Sequence, residues 1–340
     1  MQGKHLSKDV FKFIFFIAIA ALLIWIFIQK LTIEQRGEII DSFKRANYWW
    51  LLPAFIVGVI SHVLRSWRWK MLLVPMGYKP RMWNVISAVC IAYFANLAIP
   101  RLGEIARCGI LTKYEKIPFS KSIGTVITER AIDMLVFVIL FVANIIVQRH
   151  VVLDAFLNLN TGKTSTGNGA KIIVAGVVIL LIVIFFVVMR HYRKSHPDSK
   201  IVNKVSKTVK GFADGLKSVF HTDKPVSFIM SSILIWVCYL YMTKFVFRCL
   251  PETAELGYNA AFSSMVFCTI ATILLPGGIG AYPVIASMIL ALYGVSETIG
   301  FAMGWMIWTN QTVLIILAGL FSLIFLPLYN KVGHKNKEII

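Results

Sequence analysis

Acidic residues are scarce in this sequence: 340 residues hold 16 Asp+Glu beside 35 Lys+Arg, and charged residues of both signs make up only 15%. Water-soluble domains carry roughly 25% charged residues, so an ordinary soluble protein is excluded. Cysteine is sparse too. Cys90, Cys108, Cys238, Cys249 and Cys268 are odd in number, lack C-x-x-C spacing and lie in or beside apolar stretches. That pattern argues against a disulfide framework or metal site and reads as small buried hydrophobes. Histidines, His62, His150 and His191 among them, are scattered, and no cofactor or metal is expected. A phosphate loop is also missing, because Gly162-Lys163-Thr164 has Leu157 where the first glycine would fall. The apolar run Phe13–Ile28 follows Lys4, Lys8 and Lys12 but lacks a small-residue cleavage site. It reads as a first membrane helix and not as a secretory signal.

What is present is apolar sequence, 58% of the chain, gathered into runs separated by polar seams. A helix needs about 20 residues to cross roughly 30 Å of hydrocarbon. Six stretches qualify as full spans: 10–29, 47–64, 122–147, 171–189, 226–247 and 299–328. Two more, 83–111 and 258–294, are interrupted near their middles, at Ile99-Pro100-Arg101-Leu102-Gly103 and at Leu275-Pro276-Gly277-Gly278-Ile279-Gly280. Each is read as a re-entrant hairpin of two half-helices, with eight complete spans as the alternative of equal polarity. Lys and Arg collect in cytoplasmic loops. With both termini inside and each broken segment returning to its own side, the inner seams hold 23 Lys+Arg and the outer seams 8. The net charge of +19 therefore points to anionic lipid, and no nucleic acid is expected.

The expected fold class is an all-α polytopic membrane protein, one transmembrane domain over 1–340 containing an inverted repeat. Residues 47–147 form the first repeat (span, hairpin, span) and residues 226–328 the second, in opposite orientation. Opposed repeats with broken helices are a transporter pattern; two independent kinks in long helices would look similar. Between the repeats, 190–224 carries Ile201, Val205, Val209, Phe212, Leu216 and Val219 at steps of three and four among lysines. It reads as a basic amphipathic helix on the cytoplasmic membrane surface, or a connector packed on the protein. The stretch 154–170 reads as a flexible outer linker.

Ionisable groups at membrane depth are costly, about 2.5–3.5 kcal/mol each on insertion scales. Arg101, Glu104 and Arg107, spaced i, i+3, i+6, fall along one side of a half-helix that starts after Pro100, where proline suits the first helical position. A free helix N-terminus attracts anions and arginine forks match phosphate oxygens. Asn96 joins them at the tip. In the next span Glu129 and Asp133 share a face, with Arg130 beside it. The same six charges would equally serve a purely structural ion-pair network. Lys244, near the outer end of its span, is expected to snorkel. Arg65-Ser66-Trp67-Arg68-Trp69-Lys70 is explained by interfacial anchoring, or by capture of a lipid headgroup at the hairpin mouth. Pro276, Gly277, Gly278 and Gly280 carry no charge and suit gating or tight packing. Trp305, Trp308, Asn310 and Gln311 offer a polar lining or interhelical hydrogen bonds.

These residues resemble a family. Asn96-x-x-x-Pro100-Arg101-x-Gly103-Glu104-x-x-Arg107, then Glu129-Arg130-x-x-Asp133, then Pro276-Gly277-Gly278-Ile279-Gly280, preceded by Arg65-x-x-Arg68-Trp69, are similar to the transmembrane flippase-like domain of lysyl-phosphatidylglycerol synthases. The resemblance covers nearly the whole chain and implies a lipid-translocating domain. The sequence ends twelve residues past Leu328, so the family's aminoacyl-transfer domain, and lysyl-lipid synthesis with it, is not expected. Tyr282-Pro283 stands where members often carry an acidic residue, which favours an anionic over a lysyl-type headgroup.

The expectation is a non-enzymatic lipid translocase of the bacterial inner membrane, moving a phospholipid or polyprenyl-linked lipid. Arg101, Arg107 and Arg130 would hold the phosphate, and Glu104, Glu129 and Asp133 would orient them. The rivals are an integral-membrane enzyme acting on lipid phosphates, with those carboxylates as bases or metal ligands, and a non-transporting partner of envelope glycosyltransferases. Protein partners would be a second copy of the chain or an envelope-biosynthesis protein.

Overall fold

The computed structural model describes residues 24–99, 101–148 and 224–335, with Ala18, Ala21 and Leu22 ahead of them. Every regular element among these residues is helical. The chain divides into two compact units, one of Met1–Val126 with His221–Ile340 and one of Ile127–Phe220. The span expected at 171–189, the linker 154–170 and the connector 190–224 (Lys224 apart), like most of the span at 10–29, lie outside the described residues.

The helices are α1 (Ile33–Arg45), α2 (Leu51–Leu73), α3 (Met82–Ala98), α4 (Leu102–Glu115), α5 (Phe119–Val147), α6 (Pro225–Phe247), the single turn α7 (Pro251–Ala254), α8 (Tyr258–Leu274), α9 (Ala281–Ala291) and α10 (Glu297–Lys335). Four helical segments are long and apolar enough to cross a membrane: Tyr48–Met76, Phe119–Val147, Pro225–Phe247 and Glu297–Lys331. They carry four of the expected spans. The order span, broken pair, span occurs twice, in α2–α5 and again in α6–α10.

Both broken stretches are pairs of helices whose arms pack on each other, α3 on α4 and α8 on α9. The second arms have 14 and 11 residues. At 1.5 Å per residue they reach about 21 and 16 Å, short of the roughly 30 Å of hydrocarbon.

Around these pairs, α2 packs on α6, α9 on α10, and α10 also on α3. Gly58 lies by Met242, Arg65 by Tyr239 and Arg68 by Ser232, so α2 and α6 run antiparallel. Tightly packed clusters hold the unit together. Trp69, Leu73, Val85, Val89, Cys108 and Leu111 join α2, α3 and α4. Val246, Phe247, Ala271, Tyr282, Leu290 and Met303 join α6 to α10. All five cysteines are buried and free. Outside the spans, burial pushes the Cys249 thiol up to about 12, which keeps it protonated and inert.

One helix escaped the sequence reading. The seam 29–47 holds α1, opened by a capping box in which Thr32 Oγ1 accepts from the Gln35 N–H at 3.2 Å and Gln35 Oε1 accepts from the Thr32 N–H at 2.9 Å. Thr-x-x-Gln was the available signal. Its charge-rich surface hides a docking face, where Glu38 accepts a short hydrogen bond from Thr298 of α10.

Small residues allow α9 and α10 to touch backbone to backbone. A Cβ on Gly304 would stand 2.5 Å from Pro283 Cα and 2.7 Å from Ala286 Cβ. Gly304→Val is therefore expected to cost about 3 kcal/mol, the upper range for overpacking. A lowered thermal midpoint of the detergent-purified protein checks this; an unchanged midpoint would mean the two helices can part.

Candidate functional site

The first break is built from its own backbone. Ile99 is extended, and its N–H still donates to Ala95 O at 3.0 Å. Arg101 then turns left-handed, φ 69°, a conformation that costs an L-residue roughly 1–2 kcal/mol and that clusters at functional sites. Helix α4 starts at Leu102 with Arg101 as its cap. This corrects the expected start directly after Pro100: Arg101 stands outside the helix and is exposed, so it does not share a helical face with Glu104 and Arg107. Glu104 is half-buried and Arg107 is 3% exposed.

The tip also spends its donors locally. Leu102 N–H donates to Ile99 O at 3.2 Å, and Gly103 N–H donates to Asn96 Oδ1 at 2.8 Å. Two of the four N–H groups that a helix start leaves open thus have acceptors within the turn. Asn96 and Gly103 are the clasp of the hairpin, and the helix start is a weaker anion site than its sequence suggests.

The second correction concerns Arg65 and Arg68. A span ending at residue 64 would have left them as interfacial anchors, but α2 continues to Leu73, leaving Arg65 7% and Arg68 0% exposed. Trp67 alone in that motif is an exposed aromatic. The change moves two of the 23 inner charges inside the unit without reversing the asymmetry. Arg65 Nη2 donates to the Tyr239 hydroxyl at 3.0 Å, and its guanidinium lies 5.5 Å from the Tyr93 ring centre. Arg68 Nη1 donates to Ser232 Oγ at 3.1 Å and lies over Phe228. Arg107 lies 4.7 Å over Trp69, whose indole N–H donates to Thr125 Oγ1 at 3.0 Å. His62 sits edge-on to Tyr93. The unit therefore buries three arginines among α2, α3, α4 and α6, each against an aromatic face, and each has further interactions in the fold. The sequence reading set Arg68 beside Arg65 in one basic-aromatic motif, and their three-residue spacing puts both on one helix face.

The second break turns through positive φ at Gly277, Gly278 and Gly280 (61°, 70° and 76°), the region glycine enters without penalty. Trp308 of α10 fixes it by donating its indole N–H to Gly277 O at 2.7 Å. A Cβ on Gly277 would stand 3.1 Å from Leu97 Cδ2 at the end of α3, so the two breaks adjoin. Gly277 and Gly278 are closely packed, the latter with its Cβ position 3.0 Å from Thr272 Cγ2. Of the other polar groups in α10, Asn310 is buried and Gln311 hydrogen-bonds Tyr282. Lys244 does more than snorkel: its ammonium donates to Ala254 O at 3.3 Å and more closely to Leu256 O, tying α6 to the end of α7 and the segment after it.

In the second unit, Glu129 is 1% exposed, Asp133 half-buried and Arg130 exposed, all with interactions in the fold. Among the described residues no three His, Cys, Asp or Glu side chains group as a metal-ligand set.

A family model described as the lysylphosphatidylglycerol synthase TM region matches residues 13–330. The UPF0104 membrane protein MJ1595 of Methanocaldococcus jannaschii is 29% identical over 140 residues, 40% of this chain and 39% of that protein. Glycosyltransferase AglD of Haloferax volcanii is 26% identical over 100 residues, 29% of this chain and 16% of that protein. The chain thus spans well under half the length of either relative. No solved structure matches.

Proposed function

The chain belongs to the lysylphosphatidylglycerol synthase TM region family, and from that premise we propose that this multi-pass membrane protein moves a lipid with a phosphate-bearing headgroup, phospholipid or polyprenyl-linked, between leaflets. The observation that carries the reading is the meeting of two helix breaks, Leu97 against Gly277, in a unit whose α2 and α6 run antiparallel. Arms too short to cross, folded back on each other as re-entrant hairpins, put non-helical backbone at membrane depth. Such backbone is tolerated only inside protein or beside a cavity, and an inverted repeat places it where transporters bind their cargo. Exposed Arg101 at the tip then meets the headgroup, Glu104 on the next turn orients it, and lipid leaves chemically unchanged. The uneven division of Lys and Arg between the two sets of seams supports termini in the cytoplasm. Both relatives are archaeal, which supports a prokaryotic plasma membrane as the setting, with the bacterial inner membrane as one instance.

Proteoliposomes carrying a fluorescent phospholipid, quenched from outside with dithionite, test the reading. Wild type is expected to move the lipid, and Arg101→Ala and Glu104→Ala to slow it at least tenfold while remaining folded. Normal movement in either variant would remove the hairpin tip as the site, and an inactive wild type across anionic and polyprenyl lipids would remove the function.

The partial likeness to a protein named as a glycosyltransferase favours a second reading, a non-transporting partner of glycosyl transfer at the membrane. Normal cellular function after neutralising Arg101 and Glu104 together would support it.

A further inference from the structure

Helix α10 is attached to the first hairpin at two places that differ in kind. Toward the hairpin tip, a Cβ on Gly319 would stand 2.4 Å from Phe94 Cβ, so α10 and α3 are in close contact there. At the hairpin base the contact is polar. Asn84, on the first turn of α3 and 0% exposed, donates from Nδ2 to Asn330 Oδ1 at 3.1 Å and accepts from Asn330 Nδ2 at 2.9 Å. Its Nδ2 also donates to Oε1 of Glu115, the last residue of α4, and that oxygen accepts from the Arg81 N–H at 3.2 Å. From these contacts we propose that the Asn84–Glu115–Asn330 node is a latch, which opens and recloses as the end of α10 swings away from the base of the first hairpin. It rests on the translocation reading only for what the movement serves.

What distinguishes a latch from a fixed joint is the fate of each group when the contact parts. A buried donor left without an acceptor is the costly outcome, and here neither amide is left so. Asn330 Nδ2 also donates to Leu326 O at 2.9 Å within its own helix, and Asn84 Nδ2 keeps Glu115. Only the two amide oxygens lose a partner. Asn330 is half-buried, so its oxygen turns outward, and the Asn84 oxygen is uncovered as Asn330 leaves. The carboxylate of Glu115 stays with α3 throughout, because both of its donors, Asn84 and Arg81, belong to the hairpin. Parting therefore separates one neutral amide pair, a modest interaction, and strands no charge.

Helix α10 also has a place to bend. Pro327 lies inside it, one turn before Asn330. Lacking an N–H, it leaves the Leu323 carbonyl without a helical donor, and its ring crowds the preceding turn, the usual origin of a kink. The apolar contact beside the node is light: Trp83 meets Phe325 edge-on with ring centres 5.8 Å apart, and Trp83 is exposed. From Gly319 to Asn330 the helix runs about 16 Å. A tilt of about 10° about the Gly319–Phe94 contact then moves the node by about 3 Å, enough to break the amide pair. Trp308 meanwhile holds α10 to the second break through Gly277 O at 2.7 Å, so opening the latch frees one hairpin while α10 stays with the other.

The test reads the gap directly. Nitroxide labels on Lys113→Cys of α4 and Lys331→Cys beside Asn330 occupy exposed positions outside the node, and double electron–electron resonance on the full chain in nanodiscs gives their distance distribution. Two populations are expected, with Asn330→Ala and Asn84→Ala each raising the longer one at least threefold. The double variant is expected to do no more than Asn84→Ala, because the two side chains act as one contact. A joint that is only structural would lower the thermal midpoint in these variants and leave a single unchanged distance, which would overturn the latch. Bridging the thiols of Asn84→Cys/Asn330→Cys with a reducible bis-methanethiosulfonate is expected to slow lipid movement in proteoliposomes at least tenfold, with recovery on adding reductant. Full movement while bridged would overturn the latch as well. Wild type that shows both distances but moves no lipid would sink translocation and leave the latch standing.

Discussion

Gly103→Ala, the addition of one methyl group, is expected to prevent the first hairpin from closing. A Cβ there would lie 2.0 Å from Ala92 O and 2.7 Å from Ala92 C, both backbone atoms, with Asn96 Cγ at 2.8 Å. No rotamer change relieves a clash with backbone. The arms must separate by more than an ångström, which also breaks the 2.8 Å hydrogen bond from Gly103 N–H to Asn96 Oδ1 and strands a helix-start donor. A cost of about 4 kcal/mol or more is expected, in the exceptional range for single substitutions. Gly109→Ala on the same helix is the control, since its Cβ would meet nothing within 4 Å. That change should stabilise by about 0.5–1 kcal/mol, because mid-helix glycine is unfavourable relative to alanine. Thermal unfolding of both variants in detergent decides the matter, and equal midpoints would show that the arms do not pack as described.

Trp69→Ala is expected to lower stability by about 3–5 kcal/mol, the usual range for truncating a fully buried large aromatic. Trp69 is 0% exposed, at the centre of the cluster joining α2, α3 and α4. Its loss takes one donor from Thr125 Oγ1, which keeps its own bond to Ser122 O at 2.7 Å, and removes the ring beneath the Arg107 guanidinium. Trp69→Phe keeps most of the area and a ring, and should cost under half as much. A Phe variant as unstable as Ala would show that the indole N–H, and not packing, holds the position.

Much was legible in the sequence because bilayer physics is severe. Lipid offers no hydrogen bonds, so apolar runs of spanning length had to be helices, and the breaks near Pro100 and at Pro276–Gly280 had to separate them. The four spans that fall among the described residues, the paired arms and the buried cysteines follow from that alone. Less legible were helix ends inside polar text. Arg65 and Arg68 look like the close of a span because charge normally marks the membrane surface, yet α2 carries them inward to Tyr239 and Ser232. Those partners lie 174 and 164 residues away in sequence, beyond the reach of any local pattern.

The candidate site divides in the same way. Spacing put Glu104 and Arg107 on one helix, as the structure has them, and the glycine run marked Gly277 as a place for tight packing, whereas the close approach of the Ala92 backbone to Gly103 was not read. Spacing could not show that Arg101 leaves the helix through a left-handed turn, or that Asn96 is committed to Gly103. By itself the sequence determined that this chain is a helical membrane protein with two broken segments, because hydrophobicity and proline act locally. Only the tertiary structure decided which buried charges share a seam and that the two breaks adjoin, because those contacts join helices whose order along the chain says nothing of which faces meet.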